Sequence, residues 1–262
     1  MWSYQHSNFT VHQFAALKDN YIYLIDAHNS GALIAVDPAE AVSISRFCKA
    51  HDRTLTHIIN THHHWDHTDG NKALKQKFGC KVIGPANDAH RIPAIDIAVS
   101  EKSPPRIAGL EITVLQLPGH TSGHIAYVID DALFCGDVLF GAGCGRVFEG
   151  TRTEMWNSLT RLAELAGETR IYCAHEYTLA NLEFAQTVDP SNGLLVERTV
   201  RTKQLRADHQ PTIPSTIADE ISTNPFLRPL NAEFCRYYAS LRGVDANPEK
   251  VFTDIRDRKD RF

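Results

Sequence analysis

The run Asn60-Thr61-His62-His63-His64-Trp65-Asp66-His67 places four imidazoles and a carboxylate within six consecutive residues. Metal binding is the chemistry that asks for such a cluster, because imidazole nitrogens and carboxylate oxygens are the side-chain ligands of zinc, iron and manganese. In extended backbone, side chains two apart share a face, so His62 and His64 grip one ion while His63 and Trp65 point into the protein. Asp66 and His67 come as the chain turns away and address a second ion close by. For His63 a hydrogen-bonded role outweighs ligation.

Ligands must be held by something rigid. Thr56-His57-Ile58-Ile59-Asn60 is rich in β-branched and apolar residues and reads as a buried strand, with a turn at Thr68-Asp69-Gly70-Asn71 and a helix over residues 72–78. The arrangement recurs. A strand over 110–115 runs into Pro118-Gly119-His120-Thr121-Ser122-Gly123-His124, a hairpin of 126–129 and 132–135 ends in Gly136-Asp137, and a strand over 171–173 ends at Ala174-His175-Glu176. Counting Asp37 after a strand over 32–37, five strand ends deliver a candidate ligand or ligand cluster, and loops at strand ends are where a scaffold commonly presents chemistry. His124 reads as a hydrogen-bonded residue behind the ligands.

The remaining segments complete an α+β pattern. Strands over 10–14 and 21–26 form hairpins, helices over 39–51 and 154–165 are amphipathic, and 92–108 is a Pro-punctuated connector. From Tyr177 strand signals disappear, and helices follow over 179–187, 194–206, 216–222, 232–241 and 248–258. This predicts a catalytic domain over 1–176 and a small all-α domain over 177–262. Length is ample for a core, at 262 residues with 43% hydrophobic and 22% charged. A formal net charge of -4 argues against a nucleic-acid binder that relies on overall positive charge. Six cysteines with no CxxC pair suit a reduced cytosol, and neither a signal peptide nor a membrane span is read, so a cytoplasmic protein is expected.

With these residues in view, the chain resembles the metallo-β-lactamase superfamily, and within it the glyoxalase II, or hydroxyacylglutathione hydrolase, family. The motifs are Thr61 to His67, Leu117-Pro118-Gly119-His120-Thr121, Cys135-Gly136-Asp137 and Ala174-His175-Glu176-Tyr177. Gly143-Cys144-Gly145-Arg146, Asn224-Pro225-Phe226-Leu227-Arg228 and the ending Arg256 to Phe262 extend the likeness over nearly the whole chain. The resemblance implies an αββα sandwich followed by the helical domain. It implies two divalent ions, zinc first with iron or manganese as alternatives, one on His62, His64 and His120, the other on Asp66, His67 and His175, with Asp137 bridging. It implies hydrolysis of S-(2-hydroxyacyl)glutathione such as S-lactoylglutathione to glutathione and D-lactate, a step of methylglyoxal detoxification, by hydroxide held between the ions and oriented by Asp66. Arg146, Tyr177, Arg256 and Lys259, with Phe148, would then receive the glutathione moiety in a monomer free of nucleic acid and membrane. Two departures stand out: Asp69 occupies a position where the family commonly has glycine, and is expected to hold a ligand histidine from behind; Phe148 replaces a common tyrosine, removing one hydroxyl contact.

Rival chemistries rest on less. Gly141-Ala142-Gly143-Cys144-Gly145 lacks the GK[ST] of a phosphate cradle and reads instead as a flexible turn lining the substrate site. Cys144 as nucleophile is one cysteine against seven ligands, and no G-x-S-x-G elbow exists. A persulfide dioxygenase, a lactonase or a nuclease of the same superfamily is the alternative enzyme, and a metal-binding protein without catalysis the alternative class. The complete ligand set disfavours a single-iron dioxygenase and a non-catalytic protein, and the acidic balance disfavours a nuclease.

Overall fold

Runs of β-branched and aromatic residues at the start of the chain form a seven-stranded sheet. Its order is β1 (Trp2–Gln5), β2 (Phe9–Ala16), β3 (Asn20–Ala27), β4 (Leu33–Val36), β5 (His57–Ile59), β6 (Lys81–Pro85) and β7 (Ile97–Val99). The first four strands pair antiparallel through short turns, and β4 to β7 pair parallel. Parallel neighbours need crossovers. These are α1 (Val42–Ala50), then α2 (Trp65–Thr68) with α3 (Gly70–Phe78), then a 3-10 turn over Ala86–Arg91. Strands β8 (Ile112–Gln116), β9 (Ile125–Ile129) and β10 (Ala132–Gly136) follow as an antiparallel meander.

The computed structural model describes residues 1–262. It divides into two compact units, one of Met1–Gln116 with Thr121–Gly136, the other of Leu117–His120 with Asp137–Phe262. In the first unit both faces of β3 and β4 are covered. Ile22, Leu24, Leu33 and Ala35 pack with Ile44 and Phe47 of α1 and Leu74 of α3. On the other face Tyr23 meets Phe134 of β10 at 5.8 Å between ring centroids. Helix, sheet and sheet thus form successive layers, which is why β4 is buried at every position and carries no polar alternation. Each fully buried Leu or Ile contributes roughly 1.5–3 kcal/mol.

The second unit contains β11 (Leu139–Phe140), β12 (Gly143–Cys144), α4 (Arg152–Ala163), β13 (Arg170–Cys173), α5 (Thr178–Val188), α6 (Gly193–Ala207), β14 (Ser215–Thr216), α7 (Ile217–Thr223), α8 (Ala232–Arg242) and α9 (Pro248–Lys259). Its helices begin where the chain supplies caps. Thr151 and Glu154 form a capping box for α4, and Asn247 with Pro248 starts α9. The core here is aromatic: Trp156 of α4 packs on Phe252 of α9 at 5.4 Å, and Phe226 bridges Phe252 and Phe184 at 6.1 Å each.

Several elements differ from the sequence reading. β1 lies ahead of the strands expected and β7 inside the connector over 92–108, and the two-residue β11, β12 and β14 are too short to announce themselves; β14 interrupts the half expected to be free of strands. No helix is long and apolar enough to cross a membrane.

Candidate metal centre

After β5 the chain bends at Thr61 and His62 and is extended at His64, whose backbone at φ -57 and ψ 146 precedes α2. That places His62 Nε2 and His64 Nδ1 3.0 Å apart, close to the ~3.3 Å that separates two imidazole nitrogens on one tetrahedral zinc. His62 keeps its other nitrogen 3.1 Å from Thr61 Oγ1, and the buried ring of His124 stacks on its face at 4.7 Å. His67, one turn into α2, is fully buried, and its Nδ1 lies 3.0 Å from Asp37 Oδ2. Asp37 also accepts from Thr61, through the backbone N–H at 2.8 Å and the hydroxyl at 2.6 Å. Although Asp37, His62 and His67 bring ligand atoms within 4.8 Å of one another, the Asp37 oxygens are occupied by these donors. It therefore orients His67, whose Nε2 points toward Asp66 Oδ2 at 3.8 Å. Asn20, at the start of β3, donates at 3.1 Å to both the side-chain and the backbone oxygen of Asp66.

Three expectations about this stretch need revision or completion. Trp65 is 64% exposed and does not point inward, because α2 begins at that residue and ends the two-residue alternation. Asp69 is exposed and supports no histidine; the carboxylate behind His67 is Asp37, from thirty positions upstream. His63 bonds Asp88 Oδ2 through Nδ1 at 2.9 Å and meets Arg91 through Nε2.

The second unit assembles its own donors. His120 Nδ1–H donates to the Arg146 carbonyl at 2.8 Å, which leaves Nε2 3.4 Å from Asp137 Oδ2. His175 Nε2 lies 3.4 Å from the other oxygen, Asp137 Oδ1. One carboxylate thus faces two imidazoles with separate oxygens, the geometry of a bridging ligand. All three side chains are nearly buried. Tyr177, at the start of α5, stacks parallel on His175 at 4.8 Å, and Phe148 leans against His120 at 5.2 Å.

Beside these donors the same unit holds a cavity of about 410 Å³ lined by His120, Asp137, Phe140, Cys144, Arg146, Phe148, Tyr177, Arg256 and Lys259, among others. Every expected substrate residue is on its wall, but their states differ. Arg146 and Phe148 are exposed. Arg256 is buried and already engaged: Nε and Nη2 meet Asp260 at 3.1 and 2.8 Å, Nη1 donates to the Cys144 carbonyl at 3.1 Å, and the guanidinium lies over Phe226. Lys259 is half-buried, and burial, with the nearby Arg256 charge adding to it, lowers its pKa. Burial pushes the Cys144 thiol up, against a pull downward from Arg256, the direction that disfavours a thiolate nucleophile. The segment Gly141 to Gly145 holds the turn expected, buried and closing a short hairpin, with Cys144 and Gly145 on the cavity wall.

Imidazoles pre-oriented through their second nitrogens and carboxylates shared between them fit divalent ions, and no thiolate enters the set. The fold and this donor chemistry agree with family comparison: residues 17–175 match the metallo-beta-lactamase superfamily and residues 176–262 the hydroxyacylglutathione hydrolase C-terminus. A crystal structure of ETHE1 from Myxococcus xanthus superposes with a TM-score of 0.65 at 26% identity, covering 92% of this chain and 94% of that one. The protein is a member of the metallo-β-lactamase superfamily and has its fold. Among its relatives is a hydroxyacylglutathione hydrolase of Methylococcus capsulatus, 49% identical over 95% of this chain and 97% of its own. Another, from Rhodospirillum rubrum, is 45% identical over 98% and 100%. Within the superfamily, the chain belongs to the hydroxyacylglutathione hydrolases.

Proposed function

We infer that the protein hydrolyses the thioester of S-(2-hydroxyacyl)glutathione, with S-lactoylglutathione giving glutathione and D-lactate, and so serves methylglyoxal detoxification in the cytoplasm. The observation that carries this reading is the cavity in which metal-type donors, His120 and Asp137, share a wall with the cations Arg146 and Lys259. A tripeptide with two carboxylates needs such cations, and a thioester carbonyl needs such donors nearby.

We assign one ion to His62, His64 and His120 and a second to Asp66, His67 and His175, with Asp137 shared. Zinc suits the set first, and iron and manganese accept the same ligands. Divalent ions held there would supply hydroxide from water near neutral pH and Lewis-acid polarisation for a thioester carbonyl. The residues do the rest. Asp66, fixed by Asn20, accepts a hydrogen bond from the attacking oxygen and aims it. His67, His62 and His120 present one nitrogen each because Asp37, Thr61 and the Arg146 carbonyl hold the other. Arg146 and Lys259 receive the carboxylates of the tripeptide, and Tyr177 closes over His175 beside them. No general acid is required, since a thiol of pKa ~8.5 leaves readily as thiolate.

The test pairs metal analysis with release of thiol from S-lactoylglutathione. Two divalent ions per chain are expected, with activity lost on chelation and restored by the metal. Full turnover in a verified metal-free sample would end the mechanism. Metal-dependent turnover of a lactone or phosphodiester, without turnover of the thioester, would end the substrate assignment.

A further inference from the structure

The turn between β11 and β12 forms part of the cavity wall through Phe140 and Cys144, and helices of the same unit clamp it from two sides. On the α5 side, Asn181 Nδ2 donates to the Gly141 carbonyl at 3.1 Å. A Cβ on Gly141 would stand 2.3 Å from Thr178 Oγ1, and one on Gly143 2.3 Å from Asn181 Nδ2, so glycine at both positions is what allows this approach. On the α7 side, Asn224 Nδ2 donates to the carbonyls of Phe140 at 3.3 Å and Gly143 at 2.9 Å, and to Glu220 Oε2 at 2.9 Å. The same Glu220 oxygen accepts the backbone N–H of Ala142 at 2.9 Å. Ala142 sits at φ +53, a left-handed conformation that a residue with a side chain keeps only when its surroundings hold it.

Glu220 is fully buried, and Arg198 of α6 compensates its charge at 2.5 Å while bonding Thr223 Oγ1 at 2.6 Å. A buried ion pair is a poor way to stabilise a fold, since well-packed apolar residues often do as well. Its use here is the backbone donor of a strained turn.

We propose that Glu220 and Asn224 are positioning residues for thioester cleavage, fixing the β11–β12 turn so that Phe140 stays edge-on to His175 and Tyr177 and the cavity keeps the shape that admits the glutathione moiety. Phe140 stands 5.9 Å from His175 and 5.4 Å from Tyr177, at 82° to both rings. Releasing the turn lets Phe140 swing into the cavity, which weakens binding while leaving the metal donors in place. The inference rests on the hydrolase reading above and concerns how its substrate is fitted.

Two variants test it. Asn224→Ala cuts neutral hydrogen bonds to the turn. Arg198→Met/Glu220→Gln removes the ion pair but leaves an amide oxygen to accept from Ala142. The readouts are kcat and KM on S-lactoylglutathione, Kd for the non-hydrolysable S-hexylglutathione by calorimetry, and metal content. For Asn224→Ala, KM and Kd should both rise about tenfold or more, with kcat within about threefold of wild type and metal content unchanged. The double variant should stay within about twofold of wild type on both constants, because the acceptor for the Ala142 N–H persists. A role in folding alone would lower the melting temperature of both variants without moving KM or Kd of the folded protein. The proposal is overturned if folded Asn224→Ala keeps wild-type KM and Kd, or if the double variant loses affinity as steeply as Asn224→Ala. Should Asn224→Ala fail to fold, Asn224→Ser carries the same expectations. A wild-type protein that neither cleaves the thioester nor binds S-hexylglutathione removes the hydrolase reading itself, and this inference with it.

Discussion

At Asp37 a single carboxylate holds the backbone and hydroxyl of Thr61 and Nδ1 of His67, so it shapes the histidine loop. Asp37→Ala should weaken metal binding about 10–100-fold in a chelator competition, the usual cost of losing the partner behind a ligand histidine. Unchanged affinity would mean that packing alone orients His67. Arg256 and Lys259 should separate in the same manner as their surroundings do. Arg256→Ala removes the contacts to Asp260 and Cys144, and the expected result is a lower melting temperature together with a raised KM. Lys259→Ala should raise KM about tenfold with a smaller fall in melting temperature than Arg256→Ala, because its ammonium makes one long hydrogen bond to the Ala180 carbonyl at 3.4 Å and lies over the Phe184 and Phe262 rings. That histidines and acids gather at strand ends was legible in the sequence because residue type and strand-end placement are both local. Asp37 was only half legible. It has the same signature as Asp137, an acid after an apolar strand, but its partner His67 is thirty residues away, and nothing local tells an orienting carboxylate from a bridging one. Trp65 was misread because alternation was extended past the point where α2 begins.

Among elements, α9 carries the residue through which the proposed substrate contact would respond to pH. Burial, reinforced by Arg256, moves the Lys259 ammonium below the ordinary lysine range. A lysine is charged below its pKa, so a lowered pKa makes the cation vanish sooner as pH rises. KM for a glutathione thioester should therefore climb on going from neutral to alkaline solution, and Lys259→Arg, which keeps its charge throughout, should flatten the climb. A KM profile identical in the two proteins would remove Lys259 from the substrate contacts. The long helices from α5 to α9 were readable because amphipathic spacing and caps such as Asn247-Pro248 recur over several turns. The strands missed are of two kinds. β7, β11, β12 and β14 have two or three residues each, too few for a period to show, and exist because neighbours supply their hydrogen bonds; β1 has four, and its Trp2 and Tyr4 face is only half-buried between the exposed Ser3 and Gln5. The clamp on the β11–β12 turn was invisible for a related reason, since it joins Ala142 to Glu220 across 78 positions.

For the molecule as a whole, metal binding and stability are linked. Any ion bound only by the folded chain stabilises it by mass action, about 2.7 kcal/mol at a concentration a hundredfold above Kd. Metal-free protein should melt at a lower temperature, and titration with zinc should restore the loss in proportion to the logarithm of free metal; a melting temperature indifferent to metal would deny that the ligands are preassembled. The six cysteines open another view of the same chain. All are buried, with Cys48, Cys80 and Cys135 in one unit and Cys144, Cys173 and Cys235 in the other. A buried thiol meets an alkylating reagent only when its surroundings open, so the chain carries three clocks in each half. Pulsed labelling in rising denaturant, read peptide by peptide in a mass spectrometer, would time every thiol against the others. Six matching rates would define one cooperative opening, and two families of three would show which half lets go first.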